Sequence, residues 1–274
     1  MVGAAVVKPR ELLRRAGIQS SESPTRLSGG DMGVVWRVGP WVVKTLDDPP
    51  SGLFAAEARG LGRLEAAGVR VPPVHWVGEA GLVLPYIEPG PPDWRRLGRM
   101  LARLHQRRGD WYGGEDPVFI GPYLLPEVWG SNWKPFWIEQ RLAPMLEATS
   151  ETLGTLRGEL EALLAHVDLA EEGPRLLHGD LWSGNVYHGE AGPFLIDPSC
   201  WMGERAVDVA MMRLFGGFPL EFWKAYEAQL PLRPEVEAAL PVYQLYFLLV
   251  HVRAFGRGYL HGVRGVADAL RSMA

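Results

Sequence analysis

Cysteine and lysine are both scarce in this 274-residue chain, and each shortage limits the structures and functions that the sequence allows. The single cysteine, Cys200, excludes a disulfide within the chain and favours a reducing, cytoplasmic compartment. Lysine occurs only at positions 8, 44, 134 and 224, so each lysine can be examined for a role. The formal net charge of -4 gives no excess of positive charge, and we therefore expect no nucleic-acid partner.

Long apolar runs are also missing from the sequence. The most apolar stretch, residues 242–250, is interrupted by Gln244 and lies between Pro241 and His251. A membrane-spanning helix needs about 20 apolar residues, so this stretch predicts a buried helix and no membrane partner. The first nine residues lack a basic segment before their short apolar stretch, so we expect no signal peptide.

The order of the sequence patterns predicts two lobes of different construction. The first third is rich in β-branched segments separated by tight turns, whereas apolar residues recur at helical spacing after residue 88. The predicted fold class is α+β, with a small antiparallel-sheet lobe over residues 1–87 and a larger, mainly helical lobe over 88–274. The predicted strands are 25–27, 33–38, 41–46, 74–77 and 82–87. The main predicted helices are 8–16, 53–67, 205–214, 220–229 and most of 234–273, with Pro241 and several glycines as breaks.

Three polar side chains stand out among the apolar residues of segment 177–198. Asp180 is followed five positions later by Asn185, and Asp197 comes twelve positions after that. This is the spacing of a kinase catalytic loop and its metal-binding aspartate, and oxygen ligands of this kind suit Mg²⁺. An isolated Asp-x₄-Asn is more often a plain turn. His178-Gly179 before it and Asp197 after it favour the kinase interpretation, in which His178 is a structural residue.

A glycine-rich segment lies between the first two predicted strands. Glycines allow backbone N–H groups to approach phosphate closely, so this segment predicts a phosphate-binding loop. The spacing fits neither a Walker A loop nor a Rossmann fingerprint, and an ordinary hairpin is the alternative. The predicted nucleotide-binding residues here are Gly29, Gly30, Asp31, Met32 and Gly33.

Lys44 lies in an otherwise apolar predicted strand. Burying an unpaired charge is costly, so this lysine must face solvent or have a partner. Phosphate oxygens on one side and a helical carboxylate on the other would supply partners, and Glu57 is the candidate carboxylate. A solvent-facing lysine and a surface glutamate are the alternative.

The strand over residues 82–87 is predicted to run into the hinge between the lobes. In that arrangement one backbone carbonyl and, two residues later, one backbone N–H hold adenine. Pro85 falls where only a carbonyl is needed, so its missing N–H has no cost there. Ile87 would give the N–H, and Tyr86 lies between them. A plain edge strand is the alternative.

Several segments together resemble the fructosamine kinase family, in consistent order and over nearly the whole chain. The resemblance implies a protein-kinase-like fold and an ATP-dependent ketosamine 3-kinase that phosphorylates a sugar–amine adduct and so prompts its breakdown. The segments that carry the resemblance are 119–122, 133–142, 178–185, 196–200, 203–211 and 214–219.

The resemblance also implies roles for individual residues. Asp180 would accept the proton, Asn185 and Asp197 would bind Mg²⁺, and Lys44 with Glu57 would clamp the phosphates of ATP. Asp208 would brace the catalytic loop from the following helix. The chain departs from many relatives at Asp31, where they have cysteine, and at Pro85, where they have glutamate, so a cysteine switch in the glycine-rich segment is not expected.

The acceptor-binding residues are less explicit in the sequence. Aromatic faces suit sugar C–H groups and cations, so Trp133, Trp182 and Trp201 are candidate walls of an acceptor site. Glu204 is a candidate partner for the amine of the acceptor. Core packing is the alternative for each tryptophan, and an ion pair with Arg205 is the alternative for Glu204.

Three competing functions stay open from the sequence. The first is a kinase for another small amino alcohol or an aminoglycoside. The second is a nucleotide-binding pseudokinase, which retention of Asp180, Asn185, Asp197 and Lys44 disfavours. The third is a metal-dependent hydrolase built on His178, Asp180 and Asp197, which the lack of a His-x-x-x-His pair disfavours. The acceptor and the oligomeric state are not determined by the sequence.

Overall fold

A computed structural model describes residues 8–27, 33–114 and 116–273. Its first lobe is an antiparallel sheet of five strands in the order β1-β2-β3-β5-β4. The β2–β3 hairpin turns at Gly39, whose positive φ of 61° suits a residue without a side chain. The strands are β1 (Thr25–Arg26), β2 (Val34–Val38), β3 (Trp41–Thr45), β4 (Trp76–Gly78) and β5 (Gly81–Pro85).

Two helices pack against the sheet, and each belongs to a different apolar cluster. Helix α1 (Pro9–Arg15) buries Leu12 and Leu13 in a small apolar cluster with strand residues such as Val43. Helix α2 (Leu53–Ala66) buries Phe54, Leu61 and Leu64 in the main core, which continues into the second lobe. The helix that carries Glu57 is therefore packed against the helical lobe as well as against the sheet.

The second lobe is mainly helical, and it begins with α3 (Trp94–Leu104), which Asp93 caps by accepting a hydrogen bond from the Arg96 N–H. Short strand pairs interrupt the helices. The strands are β6 (Tyr112–Gly113), β7 (Val118–Ile120), β8 (Tyr123–Leu125), β9 (Trp129–Gly130), β10 (Arg175–Leu176), β11 (Val186–Gly189), β12 (Gly192–Leu195) and β13 (Met202–Gly203). The helices are α4 (Trp133–Trp137), α5 (Ala143–Ala148), α6 (Ser150–Leu153), α7 (Leu156–His166), α8 (Ala206–Phe215), α9 (Leu220–Glu227), α10 (Pro234–Ala238), α11 (Leu240–Phe255) and α12 (Leu260–Met273).

The apolar C-terminal region forms the centre of this lobe. The run Pro234–Met273 is long and apolar enough to cross a membrane by composition, but 61% of its most apolar window is buried inside the protein. It is also divided into three helices, of which α11 packs against α8 and α12. The stretch predicted to be a buried helix is therefore a core helix of the folded chain.

The observed elements follow the predicted ones closely in order and type. The largest differences lie in residues 105–150, where a run of short strands and a π-helical turn at Ile138–Leu142 carried no sequence prediction. The strand predicted over 82–87 ends at Pro85, and the next two residues form the connection to the helical lobe. Breaks were predicted in 234–273 at Pro241 and at glycines. The structure has them at Ala239, just before Pro241, and at Gly256.

Candidate active site

A cavity of about 700 Å³ lies between the sheet lobe and the helical lobe. Its walls come from β2, β3, α2 and the connection after β5 on one side, and from the 180–200 region, α8 and α11 on the other. Predicted site residues that line it are Gly33, Lys44, Glu57, Pro85, Tyr86, Ile87, Asp180, Trp182, Asn185 and Asp197. Predictions for Gly29, Gly30, Asp31 and Met32 fall outside the described residues.

The loop that carries Asp180 is shaped by its neighbours in sequence. Gly179 has a φ of 81°, and a Cβ on it would overlap the Ser199 carbonyl, so the turn requires glycine. A short 3₁₀ turn over Ser183–Asn185 then brings Asn185 back, and its Nδ2 donates to the Asp180 carbonyl oxygen at 2.7 Å. The five-residue spacing thus closes a compact loop with both side chains at the cavity.

His178 connects this loop to the segment that carries Asp197. Its backbone N–H donates to Asp208, its Nε2–H donates to the Ile196 carbonyl at 2.9 Å, and its Nδ1 accepts from the Asp180 N–H at 3.3 Å. Burial lowers the pKa of this histidine, so the ring is neutral near pH 7. Both ring nitrogens are engaged with backbone, which fits a structural residue and not a metal ligand.

Lys44 joins the two lobes through two carboxylates. Its Nζ lies 2.6 Å from Glu57 Oε1 on α2 and 2.7 Å from Asp197 Oδ1. Burial by itself lowers the pKa of Lys44, but Asp197 and Glu57 outweigh burial and the net shift is upward. Lys44 therefore carries a positive charge in the cavity. Its two carboxylate partners take the place of the solvent that a charged side chain on a buried strand would otherwise need.

Asp197 is held in an uncommon backbone conformation. Its φ of 56° is one of two positive values among the non-glycine residues that the structure describes. Aspartate tolerates this region better than most residues, and such conformations concentrate at functional sites. The turn directs the Asp197 carboxylate toward Lys44, beside Asp180.

Asp180 is a buried carboxylate in the cavity whose acidity is strongly altered. Burial and the negative charge of Asp197 raise its pKa to about 7, although Asn185 and Lys44 act in the opposite direction. A carboxylate with this pKa can accept a proton and release it again near neutral pH.

The oxygen donors in the cavity fit a magnesium ion. Asn185 uses its Nδ2 within the loop, which leaves its Oδ1 as a ligand, and Lys44 occupies only one oxygen of Asp197. Within residues 8–27, 33–114 and 116–273 no three His, Cys, Asp or Glu side chains form a metal-binding group. Magnesium requires few protein ligands and accepts phosphate and water for the rest, so these two residues suffice.

Asp208 on α8 supports the loop that carries Asp180. It is fully buried and accepts hydrogen bonds from the backbone N–H groups of His178 and Gly179, both at 2.8 Å. His105 Nε2–H donates to the same carboxylate at 3.1 Å, and Tyr226 O–H donates to His105 Nδ1 at 2.8 Å. His105 and Tyr226 carried no sequence prediction, because their roles arise only when α3 and α9 pack together.

The connection between the lobes is held by side chains on both sides. The Tyr86 N–H donates to the Pro40 carbonyl at 2.7 Å, and the Tyr187 hydroxyl donates to the Ile87 carbonyl at 2.9 Å. The Arg37 guanidinium lies 3.6 Å from the centre of the Tyr86 ring. Among the described residues the Ile87 N–H has no acceptor, so it is available to a ligand.

Three of the predicted acceptor-site residues are in the core, and this corrects the sequence-based expectation. Trp133 and Trp201 are 0% and 2% exposed and stack in one aromatic cluster with Trp137. Glu204 is 1% exposed and accepts from the Tyr112 hydroxyl and from backbone N–H groups. The packing of these side chains leaves no face for an acceptor, whereas Trp182 does line the cavity.

Helix α2 is fixed from two directions. Gly60, one turn after Glu57, lies directly on the segment after Asp197, since a Cβ on it would be 3.0 Å from Pro198 and 3.2 Å from Cys200. Arg59 and Arg63 on the same helix form ion pairs with Asp116, just before strand β7. Asp116 carried no sequence prediction, since ion pairs over 53 residues leave no local pattern.

Comparison with known structures identifies the fold. The choline kinase LicA of Streptococcus pneumoniae superposes with a TM-score of 0.65, covering 95% of this chain and 98% of that one at 16% identity. Such a low identity shows the fold alone. The fold is the protein-kinase-like two-lobe α+β fold, as predicted.

Closer relatives show the family. The crystal structure of a candidate fructosamine-3-kinase from Thermobifida fusca superposes with a TM-score of 0.85, covering 96% of this chain and 99% of that one at 30% identity. The "Probable ketoamine kinase" of Thermus thermophilus is 56% identical over 252 residues, which are 92% of this chain and 95% of the relative. The fructosamine kinase family model matches residues 10–272. The chain belongs to the fructosamine kinase family, which confirms the predicted resemblance.

Proposed function

We propose that this protein transfers the γ-phosphate of ATP to the 3-hydroxyl of a ketosamine, as a deglycation kinase. The main observation behind this proposal is that Lys44 contacts Glu57 and Asp197 in the cavity that Asp180 and Asn185 also line. Membership of a kinase family named for such acceptors supports the choice of acceptor. ATP use and the lone, buried Cys200 support a cytoplasmic enzyme.

The proposed roles follow from the contacts of each residue. Asp180 accepts the proton of the attacking hydroxyl, whose oxygen forms the new P–O bond while the bond from the γ-phosphorus to ADP breaks. Lys44 holds phosphate oxygens, and Glu57 fixes the position of Lys44. Asn185 and Asp197 would hold Mg²⁺, which neutralises phosphate charge when bound. Residues 1–87 form the proposed nucleotide-binding lobe, and residues 88–274 carry the catalytic and acceptor residues.

Nucleotide binding is assigned to the connection and the strands beside it. Pro85 has the carbonyl and Ile87 has the N–H that adenine requires, and both residues line the cavity. The glycine-rich segment that includes Gly29, Gly30, Asp31, Met32 and Gly33 is proposed to lie over the phosphates. Trp182 is the one predicted acceptor-site residue that keeps this proposed role.

The direct test is a product analysis. Purified protein is incubated with ATP, Mg²⁺ and ribulosamine, fructosamine or erythrulosamine adducts, and ADP and the phosphorylated product are measured, the position of the phosphate by NMR. Phosphate on the 3-hydroxyl supports the proposal. Transfer only to choline-like alcohols or aminoglycosides would show that the acceptor is not a ketosamine. ATP binding without any transfer would identify a pseudokinase.

Lys44→Met is expected to weaken both nucleotide binding and turnover. The variant keeps most of the length of the side chain but loses the charged group that contacts Glu57 and Asp197, so kcat/KM for ATP should fall about 100-fold. Steady-state kinetics at varied ATP concentration measure this effect. An unchanged ATP dependence would remove Lys44 from the nucleotide site, and Lys224→Met serves as the control because Lys224 is exposed.

Asp116→Asn is expected to act more weakly on the same site. It removes the ion pairs with Arg59 and Arg63 that help to hold α2, which are partly exposed and so worth about 0.5–1 kcal/mol. The KM for ATP should rise about 2- to 5-fold, and the difference should shrink at high salt. Asp268→Asn, which loses an exposed ion pair on α12, is the matched control. Equal effects of both variants would contradict the role of Asp116.

A further inference from the structure

A side-chain hydroxyl is bonded to a backbone carbonyl of the connection between the lobes. Tyr187 lies on β11 of the helical lobe, and its hydroxyl donates to the Ile87 carbonyl oxygen at 2.9 Å. Both residues line the cavity. Burial raises the pKa of the Tyr187 phenol, so the hydroxyl is protonated and acts as a donor near neutral pH. One of the two lone pairs of the Ile87 carbonyl is therefore in use before any ligand binds.

The hairpin that carries Tyr187 also holds the backbone around Ile87. Gly189 on β11 packs so closely on Ile87 that a Cβ on the glycine would lie 2.6 Å from the isoleucine Cγ2. The Gly90 N–H donates to the His188 carbonyl at 2.8 Å, also on β11. The hydroxyl and the carbonyl that it binds are thus kept together by contacts on both sides of them.

The backbone groups of the connection follow one another in a defined order. The Tyr86 N–H points toward β3, because it donates to the Pro40 carbonyl at 2.7 Å. Backbone groups of successive residues in an extended chain point to opposite sides, so the Pro85 carbonyl and the Ile87 N–H point away from β3. The order along the connection is therefore the Pro85 carbonyl, the Ile87 N–H and the Ile87 carbonyl.

Adenine fits this order when the Tyr187 hydroxyl is present. The edge of the base presents N6–H, N1 and C2–H in sequence, which would meet the Pro85 carbonyl, the Ile87 N–H and the Ile87 carbonyl. The C2–H is at best a weak donor. A bound adenine that displaces water would therefore leave the Ile87 carbonyl without a strong partner, which is costly for a buried acceptor. The Tyr187 hydroxyl supplies that partner.

Guanine conflicts with the same arrangement. In the position of adenine, its O6 would face the Pro85 carbonyl and its N1–H would face the Ile87 N–H, so acceptor would oppose acceptor and donor would oppose donor. A shift by one group lets O6 accept from the Ile87 N–H, but N1–H and N2–H then both point at the Ile87 carbonyl. With the Tyr187 hydroxyl, three donors would compete for the two lone pairs of one oxygen.

We propose that Tyr187 is a specificity-determining residue that selects adenine over guanine nucleotides by occupying the Ile87 carbonyl. This inference rests on the proposed function, which places the nucleobase at the connection after β5. The hydroxyl acts in two ways, since it satisfies the carbonyl beside adenine and gives that carbonyl one donor too many beside guanine. The hydroxyl alone has this effect, so its removal should reduce the selectivity while the ring stays in place.

Titration with ADP, IDP and GDP in the presence of Mg²⁺ tests the proposal without an acceptor. Hypoxanthine, the base of IDP, has O6 and N1–H but lacks the 2-amino group, so it directs only one donor at the Ile87 carbonyl. Calorimetry should give wild-type affinities that fall in the order ADP, IDP, GDP, with ADP at least about 30-fold tighter than GDP. Equal affinity for ADP and GDP would overturn the inference and leave the proposed function intact. Binding of none of the three would overturn both.

Tyr187→Phe keeps the ring and removes only the hydroxyl. The ratio of ADP affinity to GDP affinity should fall about tenfold, because ADP binding loses the partner of the carbonyl and GDP binding loses a competitor. The affinity for IDP should change less than that for GDP. With a ketosamine acceptor, the kcat/KM ratio of ATP to GTP should fall likewise through the nucleotide KM, and the acceptor KM should change less than about twofold.

Tyr123→Phe is the matched control for this variant. It also removes one phenolic hydroxyl from the helical lobe, and Tyr123 does not line the cavity that the described residues form. The control should keep the wild-type ratio of ADP to GDP affinity. An unchanged ratio in Tyr187→Phe, or an equal change of the ratio in Tyr123→Phe, would overturn the role of Tyr187.

Discussion

Replacement of Asp180 by alanine should reduce kcat at least about 1000-fold while the affinity for ATP changes less than about threefold. The carboxylate is the proposed proton acceptor, and its pKa of about 7 suits that role near neutral pH. Lys44 does not contact it within hydrogen-bonding distance, so the cation that we propose holds the nucleotide stays in place. Single-turnover phosphate transfer and calorimetric titration with ATP measure the two quantities separately.

Two further variants, Asp180→Asn and the control Asp168→Asn, separate loss of proton acceptance from loss of loop structure. Asparagine keeps the size of the side chain and an oxygen for the Asn185 amide, so the loop should keep its shape while proton acceptance is lost. Asp168→Asn changes an exposed aspartate outside the cavity and should leave kcat unaffected. A near-native rate in Asp180→Asn would show that another group accepts the proton.

Asp208→Asn should lower both stability and activity although Asp208 lies beneath the loop. The carboxylate accepts hydrogen bonds from two backbone N–H groups and from His105, and the amide can replace only one acceptor oxygen. We expect the free energy of unfolding to fall by about 3 kcal/mol, with a lower kcat because Asp180 loses its support. Urea denaturation measures the first quantity, and steady-state kinetics measure the second.

Glu204→Gln separates the effect on the loop from the effect on stability. Glu204 is equally buried and also accepts from backbone N–H groups, at Glu172 and Gly173, but these lie outside the catalytic loop. Its substitution should destabilise the protein and leave kcat unaffected below the unfolding transition. If both variants lower kcat equally, Asp208 acts through general stability alone.

The contribution of Asp208 should also depend on pH. Burial alone raises the pKa of Asp208, but hydrogen bonds from His105 and the nearby backbone outweigh burial, so the pKa in the folded protein lies below the ordinary 3.8. A depressed pKa means that the stabilisation is present above pH 3.8 and is lost as pH falls further. The stability difference between wild type and Asp208→Asn should therefore narrow in this acid range.

The sequence predicted those parts of the site that local spacing determines. Asp180 and Asn185 form one compact loop, so their separation of five residues indicates their geometry directly. Lys44 in an apolar strand required a partner, and the structure brings Glu57 and Asp197 to it. The two-lobe fold was predictable for a related reason, since the change from strand to helix periodicity follows from burial of one face of each element.

The residues missed or misassigned depend on contacts between distant segments. His105 reaches Asp208 across 103 positions, and Tyr187 reaches Ile87 across 100. Trp133 and Trp201 were assigned to an acceptor site because tryptophan suits both a sugar face and a core, and only packing decides between them. The π-helical turn at Ile138–Leu142 has no local signal, since its apolar residues fit an ordinary helix.

The close approach of Gly60 to Pro198 has a consequence for motion of the enzyme. Gly60 brings the backbone of α2 directly against the side chains of Pro198 and Cys200, so the two carboxylates that hold Lys44 lie on closely packed elements. Separating α2 from this segment would break the Gly60 contact and one of the two Lys44 ion pairs, so we expect the two carboxylates to move together when the cleft widens. A methyl group at position 60 would press on Pro198 and Cys200 and should weaken the contacts of Glu57 and Asp197 with Lys44.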